Sequence, residues 1–116
     1  MDSENPVRTK AYAFAVRIVK FCRWLQKMHH EFVLSKQLLR SGTSIGANIE
    51  EAQQAQSRKD FLSKMSIALK ESFETDYWLR LMRDSLDLPP KITTILRNEL
   101  EEILKLLTAI VKSSKK

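Results

Sequence analysis

Lys10, Ala13, Arg17, Lys20, Trp24 and Lys27 recur at alternating steps of three and four residues, with Arg23 beside them. At 3.6 residues per turn this spacing puts them on one helix face. A row of cations with one large aromatic set in it suits a phosphate chain. Lys and Arg neutralise phosphates, and an indole can stack on a base. A solvated helix face has the same pattern, with Trp24 then covering a neighbouring subunit. Residues 1–40 hold eight Lys and Arg against three acids, a net of +5 out of +6 for the chain, whereas residues 41–116 net only +1. A polyanion partner, RNA or DNA, is the functional expectation that follows.

A second row, Ser41, Ser44, Asn48 and Glu51, is spaced 3-4-3 beside the apolar positions Gly42, Ile45, Ile49 and Ala52. Small polar groups beside a seam permit close helix approach and supply hydrogen-bond partners. Lys64 and Glu71, seven residues apart, are candidates to face them. The structural reading is a polar network that fixes register; the functional reading is a ligand contact. Other reactive groups point away from catalysis. His29 and His30 are adjacent in an expected turn, and no Glu-x-x-His pair is present, so no metal site is expected. Glu50-Glu51 reads as one exposed and one packed carboxylate. Cys22 flanks an apolar seam and reads as a packed thiol. No glycine-rich phosphate loop occurs. Neither an enzymatic site nor a cofactor is expected.

The elements that must carry these rows are helices. Val7, Ala11, Phe14, Ile18, Phe21, Leu25 and Met28 keep an unbroken heptad seam over about residues 6–28, widened by Ala15 and Cys22. Asn5 is the expected N-cap and Pro6 the first helical residue. A second helix over about 35–55 has Ser35 as expected N-cap, Leu34 and Leu39 as a staple, and Leu38, Gly42, Ile45, Ile49 and Ala52 inward. The glycine at a seam position marks close backbone approach. A third, about 58–87, opens with Ser57 and Asp60 and turns Phe61, Met65, Ala68, Ser72, Thr75, Leu79, Met82 and Leu86 inward. Leu88-Pro89-Pro90 ends it. A fourth, about 90–112, turns Ile92, Leu96, Leu100, Ile103, Leu107 and Ile110 inward. Asp60–Lys64, Lys70–Glu74, Arg97–Glu101 and Glu101–Lys105 are expected flank pairs. The fold class is all-α: one antiparallel up-down-up-down four-helix bundle spanning 1–116, elongated because such helices are about 30–40 Å long.

Composition agrees. Two glycines and three prolines in 116 residues leave little for β-turns. No run of about 18 apolar residues could span a membrane. One cysteine and an acidic N-terminus without an apolar core imply the cytosol.

The run Gln37-Leu-Leu-Arg-Ser-Gly-Thr-Ser-Ile-Gly-Ala-Asn-Ile-Glu-Glu-Ala52 resembles the signature of four-helix-bundle proteins encoded in intervening sequences of bacterial 23S rRNA genes. Ser57-Arg-Lys-Asp-Phe-Leu-Ser-Lys-Met-Ser-Ile-Ala-Leu-Lys-Glu71 resembles that family's third helix. The same superfamily is similar to the accessory variability protein of diversity-generating retroelements, which partners a reverse transcriptase and nucleic acid. The resemblance implies a barrel-like homopentamer. Two functional expectations result. The first is a non-enzymatic homo-oligomeric bundle that binds nucleic acid or a ribonucleoprotein, accessory to a reverse transcriptase. The second is a protein-interaction scaffold with no nucleic-acid binding of its own.

Overall fold

Asn5 starts the first helix by accepting the Arg8 backbone N–H on its side-chain oxygen at 3.3 Å, with Pro6 in the first turn. The computed structural model describes residues 5–115. It consists of α1 Pro6–His29, α2 Leu34–Ala52, α3 Arg58–Ser85 and α4 Pro90–Ser114. Among the described residues there is no strand.

The α1–α2 connection contains neither glycine nor proline. His30 makes the turn by adopting the left-handed conformation, φ 52°. Its N–H and that of Glu31 return to the Leu25 carbonyl, satisfying the helix end. Histidine is among the few side chains that enter this region readily. The next helix is capped from outside its own first turn. The Glu31 carboxylate accepts the N–H groups of Val33 (3.2 Å), Leu34 (3.1 Å) and Ser35 (2.7 Å). Ser35 is therefore not the N-cap expected of it. It lies buried one residue inside α2, its hydroxyl donating to the Glu31 carbonyl at 2.7 Å. Leu34, being helical itself, forms no staple. At α3, Ser57 caps as its type predicts, accepting from Asp60 N at 3.0 Å, and Asp60 reaches back to Gln56 N at 3.3 Å. Leu86 is extended before Pro89-Pro90, so α3 stops two residues earlier than its spacing suggested. The expected ends of α2 and α4, at 55 and 112, move to 52 and 114.

Partner numbers fall along one helix as they rise along its neighbour. Asn5, Arg8 and Cys22 meet Gln53, Glu50 and Ser35. Ser41 and Glu51 meet Thr75 and Lys64. The pairs α1–α2 and α2–α3 are therefore antiparallel, and α1 and α4 close the bundle, approaching each other least of the four pairs. The core follows the seams: Phe14, Ile18, Leu25, Leu38, Ile45, Ile49, Met65, Leu79, Met82, Leu100, Ile103 and Leu107 are fully buried. The seams fail at their ends. Met28 is 62% exposed, because α1 stops one residue later and the chain turns away. In α4 the buried positions at the two ends are Thr93 and Val111, each one residue past the expected Ile92 and Ile110, which are half-buried. The molecule measures 44 × 25 × 20 Å.

Candidate nucleic-acid interface

The α1 cations divide into two groups. In the first half, Lys10 Nζ lies 2.8 Å from a Glu102 carboxylate oxygen and Arg17 Nε lies 3.0 Å from Glu99. The Lys10 ammonium, by hydrogen bond and charge, holds the Glu102 carboxyl below its ordinary range. In the second half, Lys20, Arg23 and Lys27 are exposed and have no hydrogen-bond or ion-pair partner among the described residues. The sequence of α4 explains the division. Its acids at 99, 101 and 102 lie in its middle, opposite the start of antiparallel α1. The stretch Pro90–Asn98, which runs toward the end of α1, contains no acid.

Trp24 is half-buried and held on two sides. Phe21 stacks with it at a centroid distance of 6.0 Å and 22° between planes, and His29 meets it edge-on at 4.6 Å. The indole is thus a fixed surface rather than a free ring. With Arg23, Gln26, Lys27, Met28 and Phe32 it lines a solvent-open hollow of about 600 Å³. Phe32 is 58% exposed. Sequence periodicity could not find it, because it lies in the turn between helices. An aromatic in a short turn next to a cationic row was the available signal.

The polar row of α2 faces α3, and its members do different things. Ser41 is fully buried, and the Thr75 hydroxyl donates towards its Oγ at 3.0 Å and to the Glu71 carbonyl at 2.7 Å. Asn48 is half-buried and bonds within its own helix, Nδ2 donating to the Ser44 carbonyl at 2.9 Å and to Ser44 Oγ at 3.1 Å. Glu51 is exposed and pairs with Lys64 at 2.8 Å. Of the two residues expected opposite this row, Lys64 therefore meets it. Glu71 instead binds Arg40 at 3.1 Å, alongside Glu74, which also accepts from Trp78 Nε1 at 3.0 Å. The Trp78 hydrogen bond first, then Arg40, lowers the Glu74 carboxyl. Two expected flank pairs are replaced by these longer-range ones, because cross-helix partners lie nearer than the i,i+4 neighbours: Lys64 leaves Asp60 for Glu51, and Glu74 leaves Lys70 for Arg40. Arg97 likewise bonds Asp76 at 2.8 Å rather than Glu101.

Glu50 and Glu51 are both exposed, paired with Arg8 and Lys64, which corrects the reading of one as packed. Cys22 is buried, its Sγ donating to the Ser35 carbonyl at 3.4 Å. Burial first, and the Glu31 charge second, push the thiol up to about 12. Among the described residues no group of three or more His, Cys, Asp or Glu is placed to hold a metal ion. No described helix is long and apolar enough to cross a membrane.

No curated protein matches the chain. Among solved structures, a crystal structure of a protein with unknown function from the S23 ribosomal protein family of Bacteroides thetaiotaomicron VPI-5482 superimposes with a TM-score of 0.89. It is 52% identical, and the match covers 91% of this chain and 98% of that one. The sequence model of the 23S rRNA-intervening sequence protein family matches residues 3–109, nearly the whole bundle with the α1 and α2 rows inside it. The chain belongs to the 23S rRNA-intervening sequence protein family.

Proposed function

We propose that this protein is a non-enzymatic, cytoplasmic homo-oligomer that binds RNA or DNA through the second half of α1. The observation that carries the reading is the contrast along one helix face. Lys10 and Arg17 are matched by Glu102 and Glu99, whereas Lys20, Arg23 and Lys27 are unmatched and lie along the helix beside Trp24. Unmatched cations in line attract a phosphate chain, and contacts to phosphate carry no sequence information. Phosphate contacts then dominate and sequence preference is low. Three cations give weak binding per subunit, and several subunits on one strand strengthen it by orders of magnitude. Self-association is supported by two exposed apolar surfaces on helices that are not neighbours in the bundle: Tyr12, Val16 and Val19 on α1, and Phe73 and Tyr77 on α3. The likeness to the retroelement accessory protein extends the reading to a reverse transcriptase as protein partner.

The test is fluorescence anisotropy with a labelled strand across a salt series. Lys20→Glu with Lys27→Glu should abolish binding at near-physiological salt and leave the melt unchanged, since neither residue is buried. Unchanged affinity would mean that the face is only solvated. One observation favours a second reading, a protein-interaction scaffold without nucleic-acid binding: Met28, Phe32 and Val33 expose large apolar groups beside the same cations. Its signature is partner binding that survives high salt.

A further inference from the structure

The hollow at the α1–α2 turn differs in kind from the rest of the α1 face. Three of its six lining residues, Trp24, Met28 and Phe32, are large and apolar, and Arg23 and Lys27 line it with them. No acid lines it. Met28 and Phe32 are each more than half exposed and are not needed to fill the core. The hollow is shallow and open to solvent, and its volume of about 600 Å³ leaves room for one base to lie against its apolar side chains. Trp24 is already fixed by Phe21 and His29, so docking against it orders little that was free.

We propose that this hollow receives one unpaired nucleobase of a single-stranded RNA or DNA, stacked between Trp24 and Phe32, with Arg23 and Lys27 on the flanking phosphates. The inference rests on the nucleic-acid reading above and adds to it a requirement for an unpaired nucleotide. Arg23 and Lys27 are four residues apart, so their Cβ atoms are about 5–6 Å from each other on one helix face. That is close to the repeat of successive phosphates in an extended strand. Lys20 continues the charge a turn further. The cations therefore form a line that passes the hollow rather than a ring around it. A line fits a polymer charged at every unit, with one unit's apolar ring turned into the recess. Bases in a duplex are stacked and paired and cannot turn in, so duplex is left with the phosphate contacts alone.

The experiment measures affinity by anisotropy for a short single strand, its duplex, and a strand of the same length made of abasic units. Wild type should bind the base-bearing strand more tightly than either of the others. Phe32→Ala should weaken binding of that strand by about 5- to 150-fold and leave the abasic strand unchanged, the loss expected when one stacking aromatic is removed. Met28→Ala should act in the same direction with a smaller loss. Equal affinity for base-bearing and abasic strands, or a Phe32→Ala variant that binds like wild type, overturns the base receptacle. In that case Lys20→Glu with Lys27→Glu still abolishes binding, and the phosphate reading stands. Wild-type protein that binds none of the three loses both. A change of oligomer size in Phe32→Ala, or a Glu-rich peptide bearing one Phe that binds through Phe32 where strands do not, overturns the inference in favour of a protein surface.

Discussion

Cys22 reports how tightly α1 and α2 are joined. Its thiol is buried against the Ser35 carbonyl and keeps its proton up to about 12, against 9.0 for an ordinary cysteine. The reacting species is the thiolate, so modification at pH 8 should be about a thousandfold slower than for a free thiol. A disulfide reagent should label native protein only on the timescale of local opening and label denaturant-unfolded protein at once. The sign of the stability effect is fixed by the same shift. The folded state holds the proton more strongly, so the contribution of Cys22 is complete below pH 9 and is lost as pH rises toward 12. Urea midpoints should fall more steeply over that interval in wild type than in Cys22→Ala. Single residues also show what a sequence leaves unread. The α1 row is visible as spacing, but spacing cannot say that Glu99 and Glu102 neutralise its first half. Phe32 sits where there is no period to interrupt.

At the scale of elements, the two glycines of α2 should respond in opposite directions. A Cβ on Gly42 would lie 2.9 Å from Ile18 Cγ2 and 3.1 Å from Cγ1, atoms of a side chain buried in the core. Gly42→Ala gains about 1 kcal/mol of helix propensity but incurs overpacking of about 1–3 kcal/mol, so a net destabilisation of about 1 kcal/mol is expected. A Cβ on Gly46 would lie 3.5 Å from the Ala11 carbonyl oxygen, an ordinary contact. Gly46→Ala should stabilise by up to about 1 kcal/mol. Paired melts of the two variants check both signs; a shift of the same sign in both would refute the packing assigned to Gly42. Helix interiors were legible because a seam of apolar residues every three or four positions has one burial solution. Helix ends were not. Periodicity stops carrying information once no neighbour lies alongside, as at Met28, and a cap can come from several residues away, as Glu31 caps α2. At each end of α4 two adjacent residues flank the seam, and Thr93 and Val111 are the buried members where Ile92 and Ile110 were expected.

For the whole molecule the open question is what covers the apolar groups left outside. Tyr12 is 71% exposed and Phe73 is 60% exposed, on α1 and α3, which are not neighbours in the bundle. Two different surfaces on one subunit permit head-to-tail contact, which closes into a ring when the rotation allows. Light scattering coupled to gel filtration should find an oligomer at tens of micromolar. Phe73→Glu should shift it toward monomer with little effect on secondary structure; a wild-type monomer would remove the ring from the proposal. The closure of the bundle itself carries a further consequence. Every adjacent pair is joined by a loop except α1 and α4, whose Lys10–Glu102 contact links positions 92 apart. Closing so long a stretch of chain carries an entropy cost, and the exposed Lys10–Glu102 pair adds at most about 1 kcal/mol, beside an Arg17–Glu99 pair whose carboxylate is half-buried. A polyanion advancing from Lys20 toward Arg17 and Lys10 competes with Glu99 and Glu102 for the same cations. Each phosphate gained beyond the first three unfastens part of the seam. If α1 binds a strand as proposed, its occupancy and the ion pairs that fasten α1 to α4 are thermodynamically linked with opposite sign, and the protein's own acids limit the footprint.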